Sequence, residues 1–201
     1  MARPRSAGLD GQREQILSAA QLFAIRGYTA TTMKDVAAAC GVSKATPWHY
    51  VHDKHGLLAL ITSSHVARLE ALVQAGSAQA LPPQAHLLAL IERFMQAYGN
   101  AAHEDRVLTE VVRFPSSADR ATVLAAQRRV VAAFASGVAA CQPELQAAGL
   151  HTPLAMLLFG MINWPFTWLK ADGAFSHEAL ATVVTALFFG GLPAVNPPVA
   201  R

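Results

Sequence analysis

Apolar residues recur at helical spacing along nearly the whole chain, and the strict alternation of a strand is hardly seen. From Gln12 to Arg26, Ile16, Leu17, Ala20, Phe23 and Ala24 form one stripe, and Gly27 ends it. Met33, Val36, Ala37 and Cys40 then recur at i, i+3, i+4 and i+7, the apolar face of a short helix. Thr32 and Asp35 stand at capping-box spacing at its start, and Gly41 offers the left-handed stop at its end. Ser43 is an N-cap for a further short helix through Tyr50, and Asp53 caps the one after that. Beyond lie helical spans at 54–75, 84–101, 104–114, 118–141, 153–170 and 176–190. They are separated at Leu81-Pro82-Pro83, Phe114-Pro115, Gln142-Pro143, Thr152-Pro153 and Asp172-Gly173. The pattern predicts an all-α chain of about nine helices. A three-helix helix-turn-helix head with its N-terminal arm occupies residues 1–55. A second, larger helical domain occupies 56–201.

The short helix after Gly41-Val42-Ser43 has an unusual surface. Lys44, Ala45, Thr46, Pro47, Trp48, His49 and Tyr50 are polar, aromatic and free of acid. A helix built only for packing carries a fuller apolar stripe. A helix that enters the major groove needs small residues for close approach, hydroxyls and amphipathic rings for phosphates and base edges, and a cation. Pro47 removes a backbone donor and disfavours the α conformation at Thr46, so it predicts a distorted first turn. Lys54 sits in the first turn of its helix, against the dipole, which a nearby phosphate would offset.

Charge supports this picture. Residues 1–55 hold seven basic side chains and four acids, whereas the remainder holds nine of each. The whole net charge of +3 therefore sits in the N-terminal quarter, as expected of a head that binds nucleic acid. Arg3 and Arg5 lie in a Pro-containing arm, readable either as a minor-groove contact or as a solubilising tail. The N-terminus lacks the apolar core of a signal peptide, and Cys40 and Cys141 have no metal spacing, which together point to a reducing cytoplasm.

Residues 12–60 resemble the DNA-binding domain of the tetracycline-repressor (TetR) family of bacterial regulators. The resemblance is carried by Ile16-Leu17, Ala20, Phe23, Gly27-Tyr28, Thr31-Thr32, Asp35-Val36-Ala37, Gly41-Val42-Ser43, Thr46, Tyr50, Lys54 and Leu57-Leu58. Pro47, Trp48, Val51 and His55 depart from the usual pattern. The resemblance implies a dimer on palindromic double-stranded DNA. Its contacts would come from Thr31, Thr32, Lys34, Ser43, Lys44, Ala45, Thr46, Trp48, His49, Tyr50 and Lys54.

The last two helices are apolar almost all round. From Leu145 to Leu169 only His151 titrates, and from Ala179 to Val195 nothing does. Such helices are buried or lie in a membrane. Asn163, Pro165 and Pro153 interrupt the first run and the second is short, so the expectation is no membrane and a homodimer seam, a four-helix bundle between two subunits. The 53% hydrophobic composition fits a large buried dimer face. For a small-molecule effector, Phe94, Tyr98, Phe114, Phe134, Phe159, Asn163, Trp164 and Trp168 are the candidate pocket residues, although each aromatic alone reads more readily as core. The segment Gly160–Gly173, with Asn163-Trp164, Trp168 and Gly173, is similar to that of a TetR subgroup that senses acyl-CoA thioesters. That resemblance implies an acyl-CoA effector whose phosphates meet arginines, with Arg113, Arg128 and Arg129 as candidates. For Arg128-Arg129 a solvated helix face is the stronger reading.

His49, His52 and His55 are spaced by three but are split by the Asp53 cap, so neither a metal site nor any other cofactor is expected. GxSxG, HExxH and a glycine-rich phosphate loop after a strand are all missing, which argues against an enzyme. The competing reading is a helical small-molecule binding protein without a DNA function. The segregation of charge into one quarter of the chain favours the regulator.

Overall fold

The computed structural model describes residues 18–40, 53–77, 80–100, 107, 117–169 and 173–195. Every regular element among the described residues is helical. Residues 18–26 form α1, Met33–Ala39 α2, Lys54–Ser77 α3, Pro83–Asn100 α4, Ser117–Cys141 α5, Pro143–Ala147 α6, His151–Asn163 α7 and His177–Gly191 α8. Two 3₁₀ turns, Trp164–Thr167 and Leu192–Ala194, follow α7 and α8.

The described residues fall into two compact units. One takes those up to Val66 and those between Ala102 and Leu124; the other takes Ala67–Ala101 and Ala125 onward. Each has its own core. In the first, Ala19, Ala20 and Phe23 of α1, Val36 of α2 and Leu57, Leu58 and Ile61 of α3 are buried together. In the second, Leu87, Ile91 and Phe94 of α4, Phe134 and Val138 of α5, Leu158 and Ile162 of α7 and Val184 and Phe188 of α8 form the centre.

Local chemistry explains the boundaries. Gly27 adopts φ +82°, and its N–H still donates to Phe23 O at 3.0 Å, so α1 closes as its glycine allows. Pro83 and Pro143 open α4 and α6 at the first helical position, where no donor is needed. The expected span 153–170 is not one helix. It starts at His151, because Pro153 lies in the first turn, and it stops at Asn163. Pro165 has no N–H to continue the ladder, and the chain tightens into the 3₁₀ turn.

By length and composition, Lys54–Gly76, Asp119–Cys141 and His177–Ala194 are apolar enough to cross a membrane. The first two lie partly in the cores named above. The third buries only 22% of its apolar window, so most of that surface stands open in a single chain.

Candidate functional site

The head is built around the α1–α2 turn. Thr32 caps α2 in an extended conformation, with φ −103° and ψ 160°, and the capping box is complete. Asp35 N donates to Thr32 Oγ1 at 3.2 Å, and Thr32 N donates to Asp35 Oδ2 at 2.8 Å. These hydrogen bonds from Thr32, aided by the nearby charges of Arg26 and Lys34, hold the Asp35 carboxyl below its ordinary pKa. Thr32 and Lys34 are exposed at the start of α2, on the side where backbone N–H groups and the dipole attract anions. Thr31 is different. It is fully buried, and its hydroxyl donates inward to Gly27 O at 2.9 Å, so it shapes the turn.

Asp53 caps α3 as its sequence position predicts: Gly56 N donates to Asp53 Oδ1 at 2.7 Å and Leu57 N to Asp53 O at 3.1 Å. Lys54 has an environment that spacing did not foresee. Its ammonium donates to the carbonyls of Tyr28, Thr29 and Thr31 at 2.9, 3.3 and 3.0 Å. It also lies 4.4 Å from the centroid of the Tyr28 ring. The Tyr28 hydroxyl shares a hydrogen bond with His55 Nδ1, and burial, followed by the Asp53 charge, pushes its pKa up. Ser43, Lys44, Ala45, Thr46, Trp48, His49 and Tyr50 lie outside the described residues, as do Pro47 and the arm.

In the second unit, four of the candidate pocket residues come together and pack on each other. Phe94 and Phe134 are fully buried, edge to face, with centroids 4.8 Å apart. Phe159 lies 4.7 Å from Phe134 and 6.3 Å from Phe94, and Tyr98 lies 5.9 Å from Phe94. This is a filled aromatic core with ring geometries that such side chains prefer. Asn163 is half-buried, and its Oδ1 is buried with no hydrogen-bond partner among the described residues. Trp164 and Trp168 turn outward, 62% and 53% exposed, and so do not join the cluster. Phe114 and Arg113 lie outside the described residues. Arg129 is paired with Glu70 through two hydrogen bonds, one of them Nη2 to Oε2 at 3.1 Å, which fits the solvated-face reading.

A cleft of about 570 Å³ between α4 and α8 contains none of the predicted residues. Glu92, Gln96 and Gly99 line one wall, and Ser176, His177, Glu178 and Thr182 line the other. Its two carboxylates give it the wrong sign for a CoA phosphate. Gly99 allows the close approach, since a Cβ there would stand 3.0 Å from the His177 ring. Burial holds the His177 imidazole below its ordinary pKa. The sequence signal for this cleft was the Glu92, Gln96, Gly99 spacing on one helical face, which is too common to single out. Burial raises the pKa of both thiols, Cys40 and Cys141, and so favours their protonated form.

The outer faces of α7 and α8 carry apolar stripes. Met156 and Trp164 flank Gly160 at intervals of four, and Leu157 is beside them; on α8, Val183 and Leu187 are four apart. Leu157 and Leu187 are 65% and 64% exposed. Among the described residues, no atom beyond the neighbouring residues and the backbone of the same helix stands within 4 Å of a Cβ built on Gly160, Gly190 or Gly191, so a second surface can approach closely there.

Comparison with known proteins agrees with this architecture. The family described as bacterial regulatory proteins, tetR family, matches residues 16–61. The family described as the tetracyclin repressor-like C-terminal domain matches residues 80–192, more than half of the chain. No curated protein matches. Among solved structures, a TetR-family transcriptional regulator from Bordetella parapertussis is 30% identical, with 92% of this chain and 96% of that chain covered and a TM-score of 0.82. PfmR, a TetR family transcriptional regulator from Thermus thermophilus, shares the fold at 22% identity, with 89% and 98% covered and a TM-score of 0.77. AibR, solved in complex with isovaleryl coenzyme A and operator DNA, shares the fold at 23% identity, with 88% and 97% covered and a TM-score of 0.74. A capped helix-turn-helix scaffold, an all-helical second unit and a matching relative over nine-tenths of the chain lead to one conclusion: this chain belongs to the TetR family of bacterial DNA-binding transcriptional regulators.

Proposed function

We propose that the protein is a homodimeric repressor of the cytoplasm that leaves its operator when a small apolar effector binds. The observation that carries the dimer is the exposed apolar face of α7 and α8. A surface with Leu157, Trp164 and Leu187 largely open is costly in water and matches what two protomers need to build a four-helix seam. A two-fold dimer would present two heads to successive major-groove faces, about 34–36 Å apart, over a palindromic site. Thr32, Lys34, Lys54 and the segment Ser43, Lys44, Ala45, Thr46, Trp48, His49 and Tyr50 are the proposed DNA contacts. Tyr50→Ala is expected to weaken operator binding with little loss of fold.

For the effector we propose an acyl-CoA thioester. Two observations support this class: the similarity of the Asn163-Trp164…Trp168…Gly173 segment to acyl-CoA-responsive regulators, and the shared fold with AibR, which was solved with isovaleryl coenzyme A. Binding would require the aromatic core around Phe94, Phe134 and Phe159 to open, because in this structure it is closed. Asn163 Oδ1, buried and without a partner, is an acceptor available to a ligand once that happens. Titration of the purified protein with short, long and aromatic acyl-CoAs tests the class. A rise in melting temperature together with release of DNA is expected, and operator DNA must weaken effector binding by the same factor. No shift with any of the three would reject the effector class and leave the DNA-binding reading standing.

A further inference from the structure

The acidic cleft between α4 and α8 has no part in the DNA-binding or effector readings. Glu92, Gln96 and Gly99 stand at i, i+4 and i+7 and so share one face of α4. Gly99 lies against the His177 ring at the start of α8, and Glu178 is the next residue. Seven residues of helix rise about 10 Å, so Glu92 stands about two turns along α4 from the contact that Glu178 adjoins. The two carboxylates are thus carried at separate places along a space of about 570 Å³. Gln96, Ser176 and Thr182 add an amide and two hydroxyls to its lining, and the buried Ala181 leaves room beside them. Among the described residues, neither carboxylate pairs with a cation. Arg93, next to Glu92, reaches elsewhere: its guanidinium lies 3.0 Å from the Cβ position of Gly76 on α3. His177 is the basic group in the described lining, and burial lowers its pKa, so it is neutral at neutral pH.

We propose that this cleft binds an aliphatic polyamine, with one ammonium at Glu92 and another at Glu178. The site depends on neither the effector reading nor the DNA-binding one. Its lining holds two carboxylates with no cationic partner, in a chain whose net charge is +3, so the attraction is local to the cleft. A divalent metal is the poorer match. It needs converging oxygen ligands, and among the described residues no group of three His, Cys, Asp or Glu side chains could hold one. An extended molecule with an amino group toward each end meets both carboxylates by charge-assisted hydrogen bonds and has the amide and hydroxyl oxygens left for its other N–H groups. Glu178 has a second role, because an acid in the first turn of α8 suits the helix dipole. Glu92 lies in the middle of α4, where the dipole offers no such reason. The cleft also stays clear of the proposed dimer seam. At about 100° per residue, Glu178 and Thr182 point roughly 140° around α8 from Val183 and Leu187.

Isothermal titration calorimetry on the full chain, without DNA, at neutral pH and low salt, tests the site. Spermidine is the probe, butylamine supplies a single ammonium on a short chain, and magnesium supplies a compact dication. Spermidine should bind once per protomer, and butylamine and magnesium about tenfold more weakly or worse. Glu92 and Glu178 are both exposed, so Glu92→Gln and Glu178→Gln should keep the parent's helix content by circular dichroism. Each should weaken spermidine about fivefold, and the two together about 25-fold. Thr182→Lys, which tethers an ammonium in the cleft, should weaken it as much as the double variant does. The proposal is overturned by a parent that binds no spermidine at millimolar concentration, by a double variant that binds it as tightly as the parent, or by butylamine or magnesium binding as tightly as spermidine.

Discussion

Truncating Leu187 to alanine should separate the subunits without harming either one. Leu187 is 64% exposed in the single chain and lies four residues after Val183 on the open face of α8. Full burial of a leucine is worth about 1.5–3 kcal/mol, so covering the exposed two-thirds contributes about 1–2 kcal/mol. A two-fold interface counts each substitution twice, which gives about 2–4 kcal/mol for the pair of subunits. At about 1.4 kcal/mol per tenfold, dimerisation should weaken roughly 30-fold to 1,000-fold. Leu157→Ala, 65% exposed on α7, should do the same. Sedimentation equilibrium across a concentration series reads the dissociation constant directly, and far-ultraviolet circular dichroism checks that helix content is kept. Dimerisation as tight as the parent's in both variants, or a parent that is a monomer at every concentration, would rule out this seam.

Other substitutions probe the interior and the caps. Phe134→Ala should cost about 3–5 kcal/mol, because the ring is fully buried between Phe94 and Phe159. At about 2–4 °C per kcal/mol, its melting temperature should fall by about 6–20 °C; a small fall would mean that the ring lines a loose pocket instead. Acid should loosen the head. Asp35 has a lowered pKa, so its cap contributes fully above the ordinary carboxyl value of 3.8 and is lost as pH falls through the lower folded value; Asp35→Asn should remove that limb of the urea-midpoint profile. His177 works from higher pH. Burial favours its neutral form, so stability should decline as pH falls below the ordinary value of 6.5 toward the folded one, and His177→Gln should flatten that decline.

The features legible in the sequence were the local ones. Thr32 with Asp35, Asp53 before α3 and Gly27 after α1 act through hydrogen bonds and backbone angles within four residues, and a single chain segment displays them. The stripe of Phe23, Val36 and Leu57-Leu58 was legible for a similar reason, because helical periodicity states which face is apolar. What joins distant segments was not legible. Nothing near Lys54 announces that the carbonyls of Tyr28, Thr29 and Thr31 converge on it, and Glu70 gives no hint of Arg129. Periodicity also cannot tell a pocket wall from a filled core. The Phe94, Phe134 and Phe159 rings have the same spacing either way, and only their mutual distances decide. The helix stop at Asn163 was within reach: Pro165 lacks the donor that a continuous helix to residue 170 required. Trp164 opens the 3₁₀ turn that follows this stop and Trp168 comes just after it, and both are exposed.

In the proposed dimer, two copies of this head would read duplex DNA symmetrically. Full-length protein, incubated with random-sequence duplexes at low salt and then sequenced for what it retains, tests this most directly. The expected result is a palindrome with half-sites centred about one helical turn, 10–10.5 base pairs, or a multiple of it apart, bound by two protomers. Retention of no sequence above background, or of a single asymmetric site by one protomer, would contradict it.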